Sequence, residues 1–298
     1  MRRIVLVGSF VVIGCATTRG EVSSPAIIDQ TQKQTLQTAA SDDSDLPRGR
    51  LPGYLVPTAY NVDLVIDPTA NGFSGHVVIH AAMANARDHT WLHGVGLRVA
   101  KASVKTADGT ELPVTYRATN IEGVARVDFG QTLTAQELAF SFDYEADFAK
   151  GLQGIYSVKA DDQYYAFAQF EPVSARLAFP CFDEPGFKTP FDITLTTKAE
   201  HVAISTAMAT GDEVHGNLKT TRFARTEKLP TYLVTFAVGP FDVIDAGVIP
   251  PNDARKEAVP LRGVAVRGKG RLLQESLATT KDLLVAIESY FGIGYPFG

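Results

Sequence analysis

From Leu51 to about Val266 the chain is a succession of short segments in which apolar residues recur at every second position. That period places alternate side chains on opposite faces of a strand. In "AYNVDLVID", Tyr60, Val62, Leu64 and Ile66 share one face. After a turn at Asn71-Gly72 comes "GHVVIHAAM", then "GLRVAKASVKTADG", "LPVTYRA", "VARVDFG" and "LAFSFDYEA". Further on are "YYAFAQF", "FDITLTT", "VAISTA", "KTTRFAR", "YLVTFAVG" and "LRGVAVRG". Gly, Asn, Asp and Pro punctuate these runs, which predicts a mainly β, mostly antiparallel fold. The pattern changes after Gly268. Leu273, Leu277, Leu284, Ile287 and Phe291, with Leu283 beside them, recur at three- to four-residue steps. That is the apolar stripe of a helix, which Gly292 closes.

The stretch before Leu51 has neither period. Residues 16–50 include "DQTQKQTLQTAASDDSD" and no aromatic residue, a composition that buries too little surface to offset its ordering entropy. It reads as a disordered tether. Ahead of it, Arg2 and Arg3 precede an apolar run from Ile4 to Ile13, too short to span a bilayer. The run ends in "VIGC". Residues 1–15 therefore resemble a lipoprotein signal peptide, with Cys15 as the lipidation site. With Ala16 after the cysteine, the expected place is the outer membrane, on its periplasmic face or at the cell surface, and the lipid is the only expected membrane contact. Cys181 is the one other cysteine, so an acylated Cys15 leaves no disulfide to form.

Composition narrows the function classes. The 298 residues carry 28 Lys and Arg against 33 Asp and Glu, a net charge of −5, without a basic stripe. Nucleic acid and anionic membrane surfaces are excluded as expected partners.

Candidate chemistry concentrates in "FAQFEPVSARLAFPCFDEPGFK", residues 167–188. Here Glu171, Arg176, Asp183, Glu184 and Lys188 sit among five phenylalanines, where charges are costly unless paired. Composition alone is consistent with an internal ion-pair network, Arg176 with Asp183 or Glu184. Cys181, between Pro180 and Phe182 with no neighbouring His, reads as a buried structural thiol.

The order of elements in this block, Q-x-E, then A-R, then P-C-F-D-E-P-x-x-K, resembles the gluzincin zinc aminopeptidases of the aminopeptidase N and leukotriene A4 hydrolase type. "PTAYNVDLVID", "GFSGHVVI", "GLQGIYS", "PTYLVTFAVGPFDV" and "IESYFGIGYPFG" follow that family's order over residues 51–298. The resemblance implies a large antiparallel, saddle-like or sandwich β domain over 51–247. A linker and the truncated start of an α/β catalytic domain would follow over 248–298. It implies that Glu171 receives the α-ammonium of a peptide substrate and that Gln169, with Phe170 beside it, lines the first side-chain pocket. Pro172, Arg176, Asp183, Glu184 and Lys188 would be structural, with the Glu171–Pro172 bond cis.

The family's zinc is held by His-Glu-x-x-His and a later Glu, after Gly-x-Met-Glu-Asn. None of the six histidines here is followed by Glu. The pairs His76/His80 and His89/His93 lie in strand-like sequence, where four residues span about 13 Å, so neither predicts a metal site. No catalytic or metal residue is therefore expected, and zinc is expected only in a longer family enzyme. The expectation is the docking portion of an exported zinc metallo-aminopeptidase, inactive without its catalytic domain. The alternative is a non-catalytic module that binds peptides or proteins.

Overall fold

A computed structural model describes residues 45–119 and 123–296. The signal segment, Cys15 and the tether as far as residue 44 lie outside the described residues. Two compact units are present, one of residues 45–158 with 164–238, the other of residues 159–163 with 239–296.

The strands lying wholly or mainly in the first unit are β1 (Leu55–Ile66), β2 (Gly72–Met83), β3 (Arg87–His93), β4 (Arg98–Lys105), β5 (Glu111–Pro113), β6 (Thr115–Ala118), β7 (Val124–Leu133), β8 (Gln136–Asp147), β9 (Gly154–Ala160), β10 (Gln163–Gln169), β11 (Phe191–Lys198), β12 (Val202–Ser205), β13 (Ala209–His215), β14 (Leu218–Phe223) and β15 (Phe236–Gly239). Eight form one sheet, in the order β13-β14-β11-β1-β2-β8-β4-β5. Every pairing in it is antiparallel except β1 with β11, which run parallel with Tyr60 opposite Phe191. Antiparallel neighbours can be joined by tight turns; a parallel pair needs a long crossover, here the whole chain from residue 67 to 190.

One face of this sheet is apolar. The face expected for β1 is buried, with Tyr60, Val62, Leu64 and Ile66 each about 1% exposed. Val77 and Ile79 of β2, Phe140 and Phe142 of β8, and Phe191 and Leu195 of β11 continue it. Against it packs the three-stranded sheet β3-β7-β6: Phe129 lies 5.8 Å from Phe140, and Tyr116 meets Phe142 edge-on at 5.7 Å. The opposite face carries Asn61, Asp63, His76 and Asp143. One wet and one dry face is the sandwich solution for alternating strands. A further sheet, β12-β15-β10-β9, delivers the chain to residue 169.

The second unit holds the hairpin β16 (Phe241–Ile249) and β17 (Val259–Val266) and the helix α1 (Gln274–Phe291). Gly263 lets α1 approach β17: a Cβ there would stand 2.8 Å from Leu273 and 3.1 Å from Leu277. Lower on the helix, buried Glu288 takes the Arg255 Nε–H at 2.7 Å. Gly292, at φ +64°, closes the helix by donating to the Glu288 carbonyl. The predicted apolar stripe splits in two. Leu273 is buried, but Leu283, Ile287, Tyr290 and Phe291 are exposed.

Candidate substrate-docking site

β10 ends in an alternation that decides which side chains reach solvent. Gln169 is exposed, Phe170 is 1% exposed, and Glu171 is exposed again. Phe170 packs edge-on against Phe179 at 5.8 Å and Phe236 at 5.9 Å. It anchors the strand end in the core, which corrects the expectation that it lines a pocket. The ring is too large to leave the cluster it fills, so residues 169 and 171 are turned outward on either side of it.

The Glu171–Pro172 peptide bond is cis, as expected from the sequence. A turn follows directly, closed by the Ser174 N–H donating to the Phe170 carbonyl at 2.7 Å, and a single helical turn spans Ala175–Leu177. Among the described residues, no hydrogen bond or ion pair engages the Glu171 carboxylate or the Gln169 amide. Pro172 and Lys188 are exposed.

The open choice for Arg176 resolves to Asp183. Arg176 Nε donates to Asp183 Oδ2 at 3.0 Å, its backbone N–H reaches the same oxygen at 3.3 Å, and Nη2 donates to the Asp183 carbonyl at 3.2 Å. The Asp183 side chain is 1% exposed and that of Arg176 16%. Thr231 Oγ1 donates to the other carboxylate oxygen of Asp183 at 2.7 Å. Glu184 serves elsewhere. Its Oε1 accepts the Leu51 N–H at 2.6 Å and ties the start of the domain to this loop.

Three residues that the sequence did not place at this loop complete the support. His93, at the end of β3, exchanges backbone hydrogen bonds with Cys181 at 2.8 and 3.0 Å. Its Nδ1 accepts the Asp183 N–H at 3.1 Å. Burial, reinforced by the positive charge of Arg176, pushes the His93 pKa down to about 3, so the ring is neutral and free to accept. Tyr60 offers its hydroxyl oxygen to the Phe182 N–H at 3.0 Å and stacks on Phe191. Thr231 is the third. Cys181 is buried, and desolvation, with Asp183 next, pushes its thiol well above the ordinary value. A thiol held in its neutral form is a structural group and a poor nucleophile.

Among the described residues no cluster of three or more His, Cys, Asp or Glu side chains suits a metal ion. The two histidine pairs have other engagements. His80 meets Asn61 and His76 meets Asp143, while His89 lies between Asp45 and Asp88. A zinc ligand set does not fit this donor arrangement.

The model of the peptidase M1 N-terminal domain matches residues 56–233, more than half of the chain. The chain belongs to the M1 peptidase family. Among its relatives this M1 chain is 29% identical to aminopeptidase M1-B of Oryza sativa subsp. japonica over 262 residues, 87% of the chain and 29% of that protein. It is 30% identical to the puromycin-sensitive aminopeptidase of Caenorhabditis elegans over 259 residues, 83% of the chain and 26% of that protein. Endoplasmic reticulum aminopeptidase 1 of Mus musculus is 27% identical over 287 residues, 92% of the chain and 30% of that protein. The M1 chain thus spans less than a third of the length of each of these relatives, and the matched family region contains all of residues 167–188.

Proposed function

We propose that this chain is the substrate-docking portion of an exported zinc metallo-aminopeptidase, and that Glu171 receives the free α-ammonium of a peptide while Gln169 borders the first side chain. The observation that carries this is an exposed carboxylate just after β10, without a partner among the described residues and next to a packed Phe170, in a chain of the M1 family. A fixed anion facing a cation selects chain ends, because an internal peptide bond offers no charge to pair with. The names of the relatives, all aminopeptidases, support the peptide substrate.

Zinc and the water-activating residues belong, on this reading, to polypeptide beyond residue 298. The uncovered apolar half of α1 supports a packing partner of that kind, since such a surface is ordinarily buried. The lipoprotein signal ending at Cys15 is the basis for placing the protein at the outer membrane.

The test is a titration of this chain with a short free-amine peptide and its Nα-acetylated counterpart, followed by NMR. We expect a preference for the free amine of about fivefold, in the range of a partly exposed ion pair. Glu171→Gln should abolish it while leaving the melting temperature within a degree or two. No preference in the native chain would overturn the docking role. Zinc-dependent hydrolysis of aminoacyl reporters by the purified chain would overturn the assignment of the metal elsewhere.

A further inference from the structure

The polar face of the eight-stranded sheet is not level. Directly opposed residues on neighbouring strands share a face, and one such row runs from Ala59 on β1 through His80 on β2 and Ala139 on β8 to Lys105 on β4. Small and large side chains alternate along it. The methyl of Ala139, between the longer His80 and Lys105, leaves a hollow, and Ala59 beside the bulge in β1 extends it. The depression measures about 550 Å³ and lies within the first unit. Its polar groups fall into two sets. Toward β1 they engage one another: Arg225 Nη1 donates to Asp192 Oδ2 at 2.8 Å, and His80 Nε2 meets Asn61 Oδ1 at 3.1 Å. Toward β4 they do not. Glu137 lies on β8 two residues before Ala139, which makes it the diagonal neighbour of Lys105, a relation that spans roughly 7–8 Å. The two carry opposite charge and are exposed, yet neither makes a hydrogen bond or ion pair among the described residues.

That arrangement turns several occupants away. A simple anion meets Glu137 beside Lys105, and the other cation, Arg225, already has its carboxylate. A metal ion lacks ligands, since no cluster of three suitable side chains exists among the described residues. A sugar has no Trp, Tyr or Phe in the lining on which to stack. What fits is a small molecule with both charges close together. An α-amino acid carries its ammonium and carboxylate on one carbon, and with a charge-assisted hydrogen bond of about 2.8 Å at each end it spans the gap between a cation and an anion so placed. We infer that the hollow over Ala139, flanked by Lys105 and Glu137, is a binding site for a free α-amino acid. Its carboxylate meets Lys105, its ammonium meets Glu137, and its side chain lies over Ala139. Both contacts are exposed, so the affinity belongs in the millimolar range. An aminopeptidase releases free amino acids, so the meaning of the site, though not the binding itself, rests on the function proposed above: it takes a product of the reaction.

The test titrates the full chain with leucine, with acetyl-leucine, which lacks the ammonium, and with leucinamide, which lacks the carboxylate. The amide signals of Ala107 and Ala139, both in the lining, report binding by NMR. We expect leucine to move them and each blocked derivative to bind at least about threefold more weakly, since each forgoes one ion pair. Lys105→Met should erase the advantage of leucine over leucinamide, and Glu137→Gln its advantage over acetyl-leucine. Ala139→Leu, which fills the hollow and alters no charge, should abolish the response. Thermal melts confirm that the variants fold; should Ala139→Leu fail to, the two charge variants, both at exposed positions, decide. No shift with leucine, equal binding of the three ligands, or advantages that persist in both charge variants would overturn the inference. Glu171→Gln separates this site from the docking role and should leave the leucine response intact. A response lost in Glu171→Gln but kept in Lys105→Met would sink this site and spare docking. A leucine response that behaves as expected in a chain without preference for free-amine peptides would sink docking and leave the amino-acid site standing.

Discussion

At the scale of single residues, the segment 167–188 and the side chains around it show how burial sets chemical state. His93 is enclosed, and its nitrogen is spoken for as an acceptor, so the folded protein resists protonating it until about pH 3. An unfolded chain takes that proton near 6.5. Between the two values the unfolded state binds the extra proton, and stability must fall as pH is lowered. The contribution is fully present above pH 6.5 and is lost on the way down to 3, about 5 kcal/mol over that window. Urea unfolding at a series of pH values should therefore show a shallower acid loss in His93→Asn than in the native chain, because Asn keeps an acceptor and does not titrate. Parallel curves for the two proteins would remove His93 from the acid response.

Elements show where the sequence was sufficient and where it was not. The alternation in "AYNVDLVID" located β1 and its buried face because half-buried strands must alternate. "LPVTYRA" misled: it reads as one strand, but the run breaks at Val114 into β5 and β6, which join different sheets. β13 gave no signal, because all of Ala209–His215 is exposed at a sheet edge and nothing forces a period on it. Glu171 and its cis bond were legible from the family-like motif and an adjacent proline. His93, Thr231 and Tyr60 were not, since they reach the loop from 90, 48 and 122 positions away. Contact at that range is decided by topology, which local pattern does not encode.

The seam between β9 and the turn over residues 171–177 belongs to this scale too. Gly154 opens β9 at φ +70°, and a Cβ there would stand 2.9 Å from Leu177, next to Arg176. Gly154→Ala combines left-handed backbone strain with that collision. It should destabilise the protein by about 1–3 kcal/mol. The check is a lowered urea midpoint with an unchanged slope; an unshifted midpoint would show that the turn yields freely.

For the molecule as a whole, α1 is the feature that a purified chain must contend with. Leu283 is 59% exposed, Tyr290 84% and Phe291 52%, large apolar side chains of one helix left open to solvent. The isolated chain should self-associate as concentration rises, and the double change Leu283→Glu with Ile287→Glu should return it to a monomer. Sedimentation velocity at micromolar and near-millimolar loading gives the answer. Persistent association of the double variant would place the sticky surface elsewhere. Glu288 has to stay intact in such work, because it also accepts the Tyr295 N–H at 2.8 Å and orders the segment after the helix.

The parallel seam between β1 and β11 carries a consequence for synthesis. A ribosome releases the β1 segment early, but that strand's second neighbour does not exist until Phe191–Lys198 has emerged. The central hydrogen-bond ladder therefore stays half made while more than a hundred residues are translated, several seconds or longer at about 5–20 residues per second. Throughout that interval the strand keeps one edge of unpaired backbone N–H and C=O groups, an invitation to chaperones and, under the export proposed above, a reason for the polypeptide to leave the cytosol before the sheet can close.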